Sequence, residues 1–167
     1  MKKISVIVPM YYEEKVAEEC YKRLTTCLQK LIDYTYEIII IDDGSKDKTL
    51  EILENIASKD DKVKVISFSR NFGHQAAVTA GLKHVSGDAI IIIDADLQDP
   101  PELIPQMMQL WEQGNEIIYA KRKKRKGESP FKLLSAKLFY QILNALSDTE
   151  IPKDTGDFRL VDRKVVD

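Results

Sequence analysis

The sequence predicts an α/β fold in which a mainly parallel sheet carries helices on both faces. Apolar runs alternate with stretches of helical periodicity along the whole chain, and this alternation is typical of βαβ units. The runs are short and nearly continuous, as expected for strands that are buried on both faces. Five runs predict strands: Ile4–Val8, Glu37–Ile41, Val63–Phe68, Ala89–Ile93 and Glu116–Ala120.

The bulk properties indicate one soluble domain. A length of 167 residues is enough for one domain with a substantial core. The net charge of −2 creates no overall field that would attract nucleic acid, so we expect anions to bind only locally. No stretch approaches the roughly 18 uninterrupted apolar residues of a membrane span, and Met1-Lys-Lys-Ile4 leads into the first strand without a signal peptide. We therefore expect a cytoplasmic chain with no nucleic-acid partner.

The first two intervals between strands predict helices that each present one apolar face to the sheet. Cys20 and Cys27 belong to the first helix and lie about 10 Å apart along its axis, which is too far for a disulfide. We expect both to be core thiols in a reducing compartment. Apolar residues recur at helical spacing at Val16, Cys20, Leu24, Leu28 and Leu31, and again at Leu50, Leu53, Ile56 and Ala57.

The next two helices begin beside the expected ligand-binding edge of the sheet. The third follows Gly73, and its small residues permit close approach to the strands. The fourth begins near Pro100-Pro101, because proline is tolerated in a first helical turn. The small residues of the third helix are Ala76, Ala77, Ala80 and Gly81.

The pattern changes after Ala120. A basic loop, residues 121–126, is followed by an unusually apolar helix from Pro130 to about Leu146. We expect that helix to pack on sequence beyond this chain, with a second subunit or a lipid surface as alternatives. A polar turn over Lys153–Asp157 follows, and Arg163–Asp167 has the pattern of the first turn of a helix.

The fourth strand ends in two carboxylates one residue apart, Asp94 and Asp96. An unpaired charge is costly to bury, so these side chains either reach solvent or bind a cation. Two carboxylates with water positions left over suit Mg²⁺ or Mn²⁺ carrying substrate phosphates. For this motif alone, capping of the following helix is an equally good explanation.

The other strand ends supply further polar groups at the same edge. The first offers Pro9, Tyr11 and Glu13, where a planar base could stack and form hydrogen bonds. The second offers Asp42, for which we expect ligand contact, whereas Ser45 and Asp47 are explained by helix capping.

Basic and histidine side chains complete this edge. Arg70 follows the third strand and could approach a phosphate, while we expect His74 to begin a helix without a catalytic role. Arg122, the first residue after the fifth strand, is the best phosphate-binding candidate of the basic loop. Together the strand ends predict a nucleotide-diphosphate site with a bridging metal. A dinucleotide oxidoreductase is disfavoured because the first strand lacks Gly-x-Gly-x-x-Gly, and a Walker phosphate loop is absent.

Five motifs, in this order along the chain, resemble those of family 2 glycosyltransferases, and most of all the polyprenyl-phosphate glycosyltransferases of the bactoprenol glucosyltransferase and dolichyl-phosphate mannose synthase group. The resemblance covers essentially the whole chain. The motifs are Val6-Ile-Val-Pro-Met-Tyr-Tyr-Glu13, Asp42-Asp-Gly-Ser-Lys-Asp47, Arg70-Asn-Phe-Gly-His-Gln75, Asp94-Ala-Asp-Leu-Gln-Asp-Pro-Pro-Glu102 and Thr155-Gly-Asp-Phe-Arg-Leu160.

The resemblance implies a GT-A fold, a nucleotide-sugar donor, Mg²⁺ or Mn²⁺ and inversion at the anomeric carbon. It implies that Asp157 lies at the reaction centre. Leu97-Gln98-Asp99 is more similar to the enzymes that use UDP-sugars than to those that use GDP-mannose. By the same resemblance, the nucleotide is contacted by Pro9, Tyr11, Glu13 and Asp42, and the metal and diphosphate by Asp94, Asp96 and Gln98.

The implied acceptor is a polyprenyl phosphate. Its second pKa, near ~6 by analogy with phosphorylated side chains, leaves it ionised at neutral pH. Asp157 would then be a base only for a hydroxyl acceptor or a protonated phosphate, and would otherwise orient metal, sugar or Arg159. Arg159 could hold the acceptor phosphate in a bidentate contact.

Similar enzymes continue into amphipathic and transmembrane helices, so we expect residues 1–167 to be a single catalytic domain cut from an enzyme of the cytoplasmic membrane face. Homo-oligomer formation is left open. The alternatives are a nucleotide-sugar-binding module that is inactive in transfer, or a transferase that uses a saccharide hydroxyl. A sugar-1-phosphate nucleotidyltransferase is a distant third, since it would require a glycine-rich first strand.

Overall fold

The computed structural model describes residues 1–121 and 155–166. The predicted basic loop with Arg122 and the predicted helix from Pro130 to Leu146 lie outside these residues. The chain divides into two compact units, Met1–Ile118 with Asp157–Asp167, and Tyr119–Gly156. Every side chain whose contacts are described below belongs to the first unit. The expectation of one catalytic domain over residues 1–167 stays a prediction.

All five predicted strands are present, with ends that differ by a few residues from the predicted ones. They are β1 (Lys2–Met10), β2 (Tyr34–Asp42), β3 (Val63–Ser67), β4 (Ala89–Ile92) and β5 (Ile117–Lys121). A sixth strand, β6 (Thr155–Asp162), pairs antiparallel with β4, where the sequence had predicted a polar turn. The sheet order is β3-β2-β1-β4-β6-β5, and β1 is parallel to both β2 and β4. The mainly parallel α/β sheet is therefore confirmed.

The predicted helices occupy the intervals between the strands. They are α1 (Ala17–Leu28), α2 (Thr49–Ala57), α3 (His74–Leu82) and α4 (Ile104–Glu112). A 3₁₀ turn at Pro101–Leu103 precedes α4, and Arg163–Val166 forms the expected last helical turn. Cys20 and Cys27 are buried and free, as predicted. Within the described residues, no helix combines the length and apolar character needed to cross a membrane.

The small residues of α3 allow it to lie close to the sheet. A Cβ atom on Gly81 would come within 2.6 Å of Cγ2 of Ile7, so a larger side chain would push the helix away. Ala77 is fully buried in the same layer, beside Ile39 and Ile92. This tight packing holds α3 against the sheet, with its first residue at the edge where the parallel strands end.

Candidate active site

A cleft of about 290 Å³ opens at the carboxyl end of the parallel strands. Open α/β sheets bind ligands at this edge. Of the residues predicted to form a site, Pro9, Tyr11, Glu13, Asp94 and Asp96 line it. The full lining is Pro9, Met10, Tyr11, Glu13, Asp43, Asn71, Gly73, His74, Ala77, Asp94, Ala95 and Asp96.

The Asp-x-Asp motif sits in a tight turn just after β4. Ala95 is buried between the two carboxylates, and Leu97 adopts a positive φ of 60°. Oδ1 of Asp96 accepts a hydrogen bond from the backbone N–H of Gln98 at 3.0 Å. Asp96 therefore organises the turn and lines the cleft, but it does not cap the following helix, because neither the turn at Pro101 nor α4 receives a hydrogen bond from a capping side chain.

Asp94 lies in a group of three side chains that have the residue types of a metal site. Each of His74, Asp94 and Asp157 offers one potential ligand atom, and these three atoms lie within 4.8 Å of one another. Nε2 of His74 is 3.3 Å from Oδ2 of Asp157, and Nδ1 of His74 is 3.9 Å from Oδ1 of Asp94. His74 does begin α3, as predicted, but the structure also brings it to the predicted reaction centre, which the sequence did not indicate.

Negative charge accumulates around Asp94. Burial raises the pKa of the Asp94 carboxyl, the nearby His74 lowers it, and Asp157 and Asp96 raise it further. Burial, followed by the charge of Asp96, also raises the pKa of Glu13. Crowded carboxylates in a partly desolvated cleft are poorly balanced by the described side chains, and a bound cation would stabilise them.

The first strand delivers an aromatic rim to the cleft. The ring of Tyr11 is 43% exposed and packs edge-on against Tyr12, with ring centroids 4.5 Å apart. The backbone here is held by α2 and its preceding turn: Ser45 Oγ accepts the N–H of Tyr12, and Thr49 Oγ1 accepts the N–H of Glu13. The rim is therefore fixed in place while the Tyr11 ring remains open to a ligand.

Of the two adjacent carboxylates after β2 residue Ile41, the structure places Asp43 at the cleft, whereas the sequence predicted Asp42 there. Asp42, expected to contact ligand, is fully buried; its carboxylate accepts hydrogen bonds from the Ser45 N–H and the Ser67 hydroxyl. It does not line the cleft, whereas Asp43 does. The sequence missed Asp43, because the end of a strand does not reveal which of two adjacent carboxylates faces the ligand edge.

Arg159 lies away from the cleft. It lines a separate depression of about 390 Å³ together with Leu82, Lys83 and Val161. On β6 it is two residues from Asp157 and is paired in register with Ile92 of β4. Its contact with acceptor phosphate stays a prediction.

The other residues predicted to bind the nucleotide-sugar or its phosphates lie in different places. Arg70 places its guanidinium 4.1 Å from the centre of the Phe72 ring, at the outer side of the loop before α3. Gln98 donates its N–H to Asp96 and does not line the cleft. Arg122 lies outside the described residues.

Comparison with known proteins identifies relatives over nearly the whole chain. The model of glycosyl transferase family 2 matches residues 5–167. The uncharacterized glycosyltransferase YkcC of Bacillus subtilis (strain 168) is 52% identical over 163 residues, which are 98% of this chain and 50% of that protein. A bactoprenol glucosyl transferase of Shigella phage SfV is 44% identical over 165 residues, which are 99% of this chain and 53% of that protein. The chain thus spans about half the length of the curated relatives it matches.

Solved structures support the same fold. Glucosyl-3-phosphoglycerate synthase from Mycobacterium tuberculosis, in complex with Mn²⁺, UDP and phosphoglyceric acid, superposes with a TM-score of 0.68 at 23% identity. The match covers 98% of this chain and 57% of that one. A mannosyltransferase from Pyrobaculum calidifontis, in complex with GDP-Man and Mn²⁺, gives a TM-score of 0.67 at 21% identity, covering 99% and 46%. At these identities the likeness establishes the fold alone.

Proposed function

The chain belongs to glycosyl transferase family 2 and has the GT-A fold, and we propose that it transfers a sugar from a nucleotide donor to a polyprenyl phosphate with inversion. The single observation that carries the proposal is the cleft, which combines the open ring of Tyr11 with the carboxylates of Asp94 and Asp96. A flat apolar surface beside clustered carboxylates suits a nucleoside diphosphate bound with a divalent cation.

The donor base stacks on Tyr11 in this proposal, against the rigid backbone at Pro9. Glu13, at the same rim, accepts hydrogen bonds from the base or the ribose. Asp42 supports this subsite indirectly. Its buried carboxylate accepts the N–H of Ser45, and Ser45 in turn accepts the N–H of Tyr12, next to Tyr11. Gln98 and Arg122 remain proposed contacts of the diphosphate.

The side chains around Asp94 fit Mg²⁺ or Mn²⁺. Oxygen ligands predominate among them, and hard divalent cations prefer oxygen. The raised pKa of Asp94 reflects burial and the negative charges of Asp96 and Asp157, which a cation would offset. We propose that Asp94 and Asp96 hold the ion, which when bound neutralises charge that grows on the leaving diphosphate.

Asp157 orients the reacting groups in this scheme. A polyprenyl phosphate is already ionised at neutral pH, with its second pKa near ~6, so the acceptor oxygen can attack without a base. The half-buried Asp157 carboxylate does not itself line the cleft, but it lies 3.3 Å from His74, which does, and we propose that from there it holds the sugar or the ion. Arg159, two residues along β6, is proposed to hold the acceptor phosphate.

The acceptor and donor are inferred from different sources. A relative at 44% identity is called a bactoprenol glucosyl transferase, which supports a polyprenyl phosphate acceptor and cell-envelope glycan synthesis. Leu97-Gln98-Asp99 favours a UDP-sugar over GDP-mannose. Because the acceptor is a membrane lipid, we propose that the full-length enzyme acts at the cytoplasmic face of the membrane.

Thermal unfolding with nucleotides tests the donor site. UDP is expected to raise Tm when Mn²⁺ is present, because a ligand that binds only the folded state stabilises it. GDP should raise Tm less, because the proposed donor is a UDP-sugar. Asp96→Asn should lose the Mn²⁺-dependent part of the shift. Asp61→Asn, an exposed carboxylate after α2, is the matched control and should behave like the unchanged protein. The absence of any metal-dependent shift with either nucleotide would contradict the proposed donor site.

Nucleotide release distinguishes the enzyme from its alternatives. Release from a UDP-sugar that requires polyprenyl phosphate, and that Asp96→Asn abolishes, supports the proposed reaction. Tight donor binding without release supports a binding module. Release that requires a saccharide in place of the lipid supports a hydroxyl acceptor and, with it, a role for Asp157 as base.

A further inference from the structure

His74 connects the two carboxylates that the proposed reaction uses. Asp94 follows β4 and Asp157 lies on β6, and these neighbouring strands run antiparallel. The imidazole at the start of α3 faces both: Nδ1 lies 3.9 Å from Asp94 and Nε2 lies 3.3 Å from Asp157. Three elements of the fold therefore meet at one ring.

Asp43, the residue just after β2, holds the backbone that leads to His74. Both carboxylate oxygens of Asp43 accept backbone hydrogen bonds, from Phe72 at 2.7 Å and from Gly73 at 2.9 Å. These are the two residues that precede His74, so the start of α3 is fixed before any ligand binds. The side chain of His74 keeps 37% of its surface exposed, toward the cleft that it lines.

The arrangement of the two carboxylates favours a donor over a metal ligand. Nε2 lies 3.3 Å from Asp157, close to hydrogen-bond distance, whereas Nδ1 is 3.9 Å from Asp94. One ligand atom from each of the three side chains also lies within 4.8 Å of the other two, so distance alone would let them share a cation, and the test below therefore measures Mn²⁺ affinity directly. The Nε2 atom is buried and makes no well-formed hydrogen bond within the described residues, while the Asp157 oxygen lies 3.3 Å away. A small movement of that carboxylate completes an N–H to oxygen hydrogen bond.

We infer that His74 is a positioning residue, which donates to Asp157 and holds it at a fixed place relative to Asp94, and that it is not a ligand of the ion. This inference rests on the proposed function, since it concerns the same reaction centre. Asp157 then points at the reacting sugar only while the ring is present. Misplacement of a reacting group by about 1 Å can reduce turnover by about a hundredfold.

The test compares His74→Ala with His74→Lys. Lysine keeps an N–H donor but has no lone pair at neutral pH, so it can replace a donor and cannot replace a metal ligand. His84 is the matched control: it lies just after the same helix, is exposed, and its ring forms a hydrogen bond with the carbonyl of Ala80. For each variant we would measure kcat and donor KM by nucleotide release, Mn²⁺ affinity by electron paramagnetic resonance, and Tm.

The expected result is a loss of kcat in His74→Ala of about tenfold or more, with donor KM and Mn²⁺ affinity unchanged. His74→Lys should recover most of the kcat, and His84→Ala should match the unchanged protein. Weakened Mn²⁺ binding in both His74 variants would overturn the inference, because it would make His74 a ligand. Unchanged kcat in His74→Ala would overturn it as well.

Two measurements keep this test separate from that of the proposed function. If the unchanged protein releases no nucleotide with any acceptor, the proposed function fails, and the Mn²⁺ affinities still decide whether His74 is a ligand. If His74→Ala has a much lower Tm, His74→Leu takes its place as the variant without a donor, and it is compared with His74→Gln, whose amide keeps a donor at similar reach. Loss of kcat in His74→Leu with kcat kept in His74→Gln supports the inference, and equal kcat in these two variants overturns it.

Discussion

The carboxylate of Asp43, the residue just after β2, accepts the backbone N–H of Gly73 at 2.9 Å and so sets the start of α3. Its second oxygen accepts the N–H of Phe72 at 2.7 Å. Asp43 is only 4% exposed, so water cannot replace these bonds readily. The second strand thus contributes to the cleft mainly by holding the loop that brings His74 to Asp94 and Asp157.

Asp43→Asn is expected to lower the free energy of unfolding by about 1–3 kcal/mol, because an amide leaves one buried N–H without an acceptor. Urea unfolding at constant pH measures the change. Asp33→Asn, an exposed residue before β2, is the control and should stay within about 0.5 kcal/mol. Equal midpoints for Asp43→Asn and the unchanged protein would show that the bonds to the loop contribute nothing.

Gly44 supports the same loop through close backbone contact. A Cβ atom there would lie 2.4 Å from the carbonyl carbon of Arg70, and the residue has a φ of +72°. Gly44→Ala should therefore destabilise the protein by about 2 kcal/mol or more, from both strain and overlap. Gly114→Ala isolates the strain: its φ is +93°, but nothing lies within 4 Å of the added carbon. Chemical unfolding of both variants should show a clearly larger loss for Gly44, and equal losses would contradict the predicted overlap.

The sequence predicted the parallel part of the sheet well because its signal is local. Continuous apolar runs such as Ile38–Ile41 and Ile90–Ile93 need burial on both faces, and only a sheet covered by helices provides it. The same reasoning placed Asp94 and Asp96 at the carboxyl edge of the sheet, where they line the cleft; their contact with a ligand stays a prediction. Strand β6 was missed because the polar residues Lys153–Asp157 were interpreted as a turn, although apolar and polar residues alternate after them: Phe158 and Leu160 are fully buried, whereas Asp157 and Arg159 are half-buried. That alternation was visible in the sequence and would have predicted a strand.

The sequence pattern could not predict which side chains from distant segments of the chain would be in contact. His74 approaches Asp157 only because β6 inserts beside β4 in antiparallel orientation, and nothing near His74 in the chain indicates this. The division of work between Asp42 and Asp43 depends likewise on what packs against each carboxylate. Asp42 meets Ser67 of the neighbouring strand, and Asp43 meets the loop after it.

Cys20 is expected to resist alkylation in the folded protein. It is 1% exposed, and burial raises its pKa to about 12, so only about one thiol in ten thousand is ionised at pH 8. Mass spectrometry after iodoacetamide treatment should find Cys20 unmodified in buffer and fully modified in urea. Glutathione in the same tube is the control for reagent activity. Rapid modification of Cys20 in buffer would contradict its buried position in α1.

At the opposite edge of the sheet from the cleft, Glu37 provides a pH-dependent contribution to stability. Its carboxylate is 3% exposed and accepts hydrogen bonds from Ser5, from Ser86 and from the ammonium group of Lys64. Burial alone would raise the pKa of Glu37, but these bonds outweigh it and hold the pKa well below its usual range. Lys3 adds a second ion pair at 3.1 Å.

Glu37→Gln is expected to reduce the free energy of unfolding by about 2 kcal/mol at pH 7, because the buried donors of Ser5 and Ser86 lose a charged acceptor; solvent screens the loss of charge beside the exposed Lys64. A carboxyl whose pKa is lower in the folded state stabilises the fold fully above its unfolded pKa of about 4.3, and this contribution is lost progressively as the pH falls from that value toward the lower folded pKa. The difference between the two proteins should therefore shrink from pH 5 to pH 3. Urea unfolding at pH 7, 5 and 3 measures it, with the exposed Glu54→Gln as control. A difference that stayed constant down to pH 3 would mean that the Glu37 contribution does not depend on its charge.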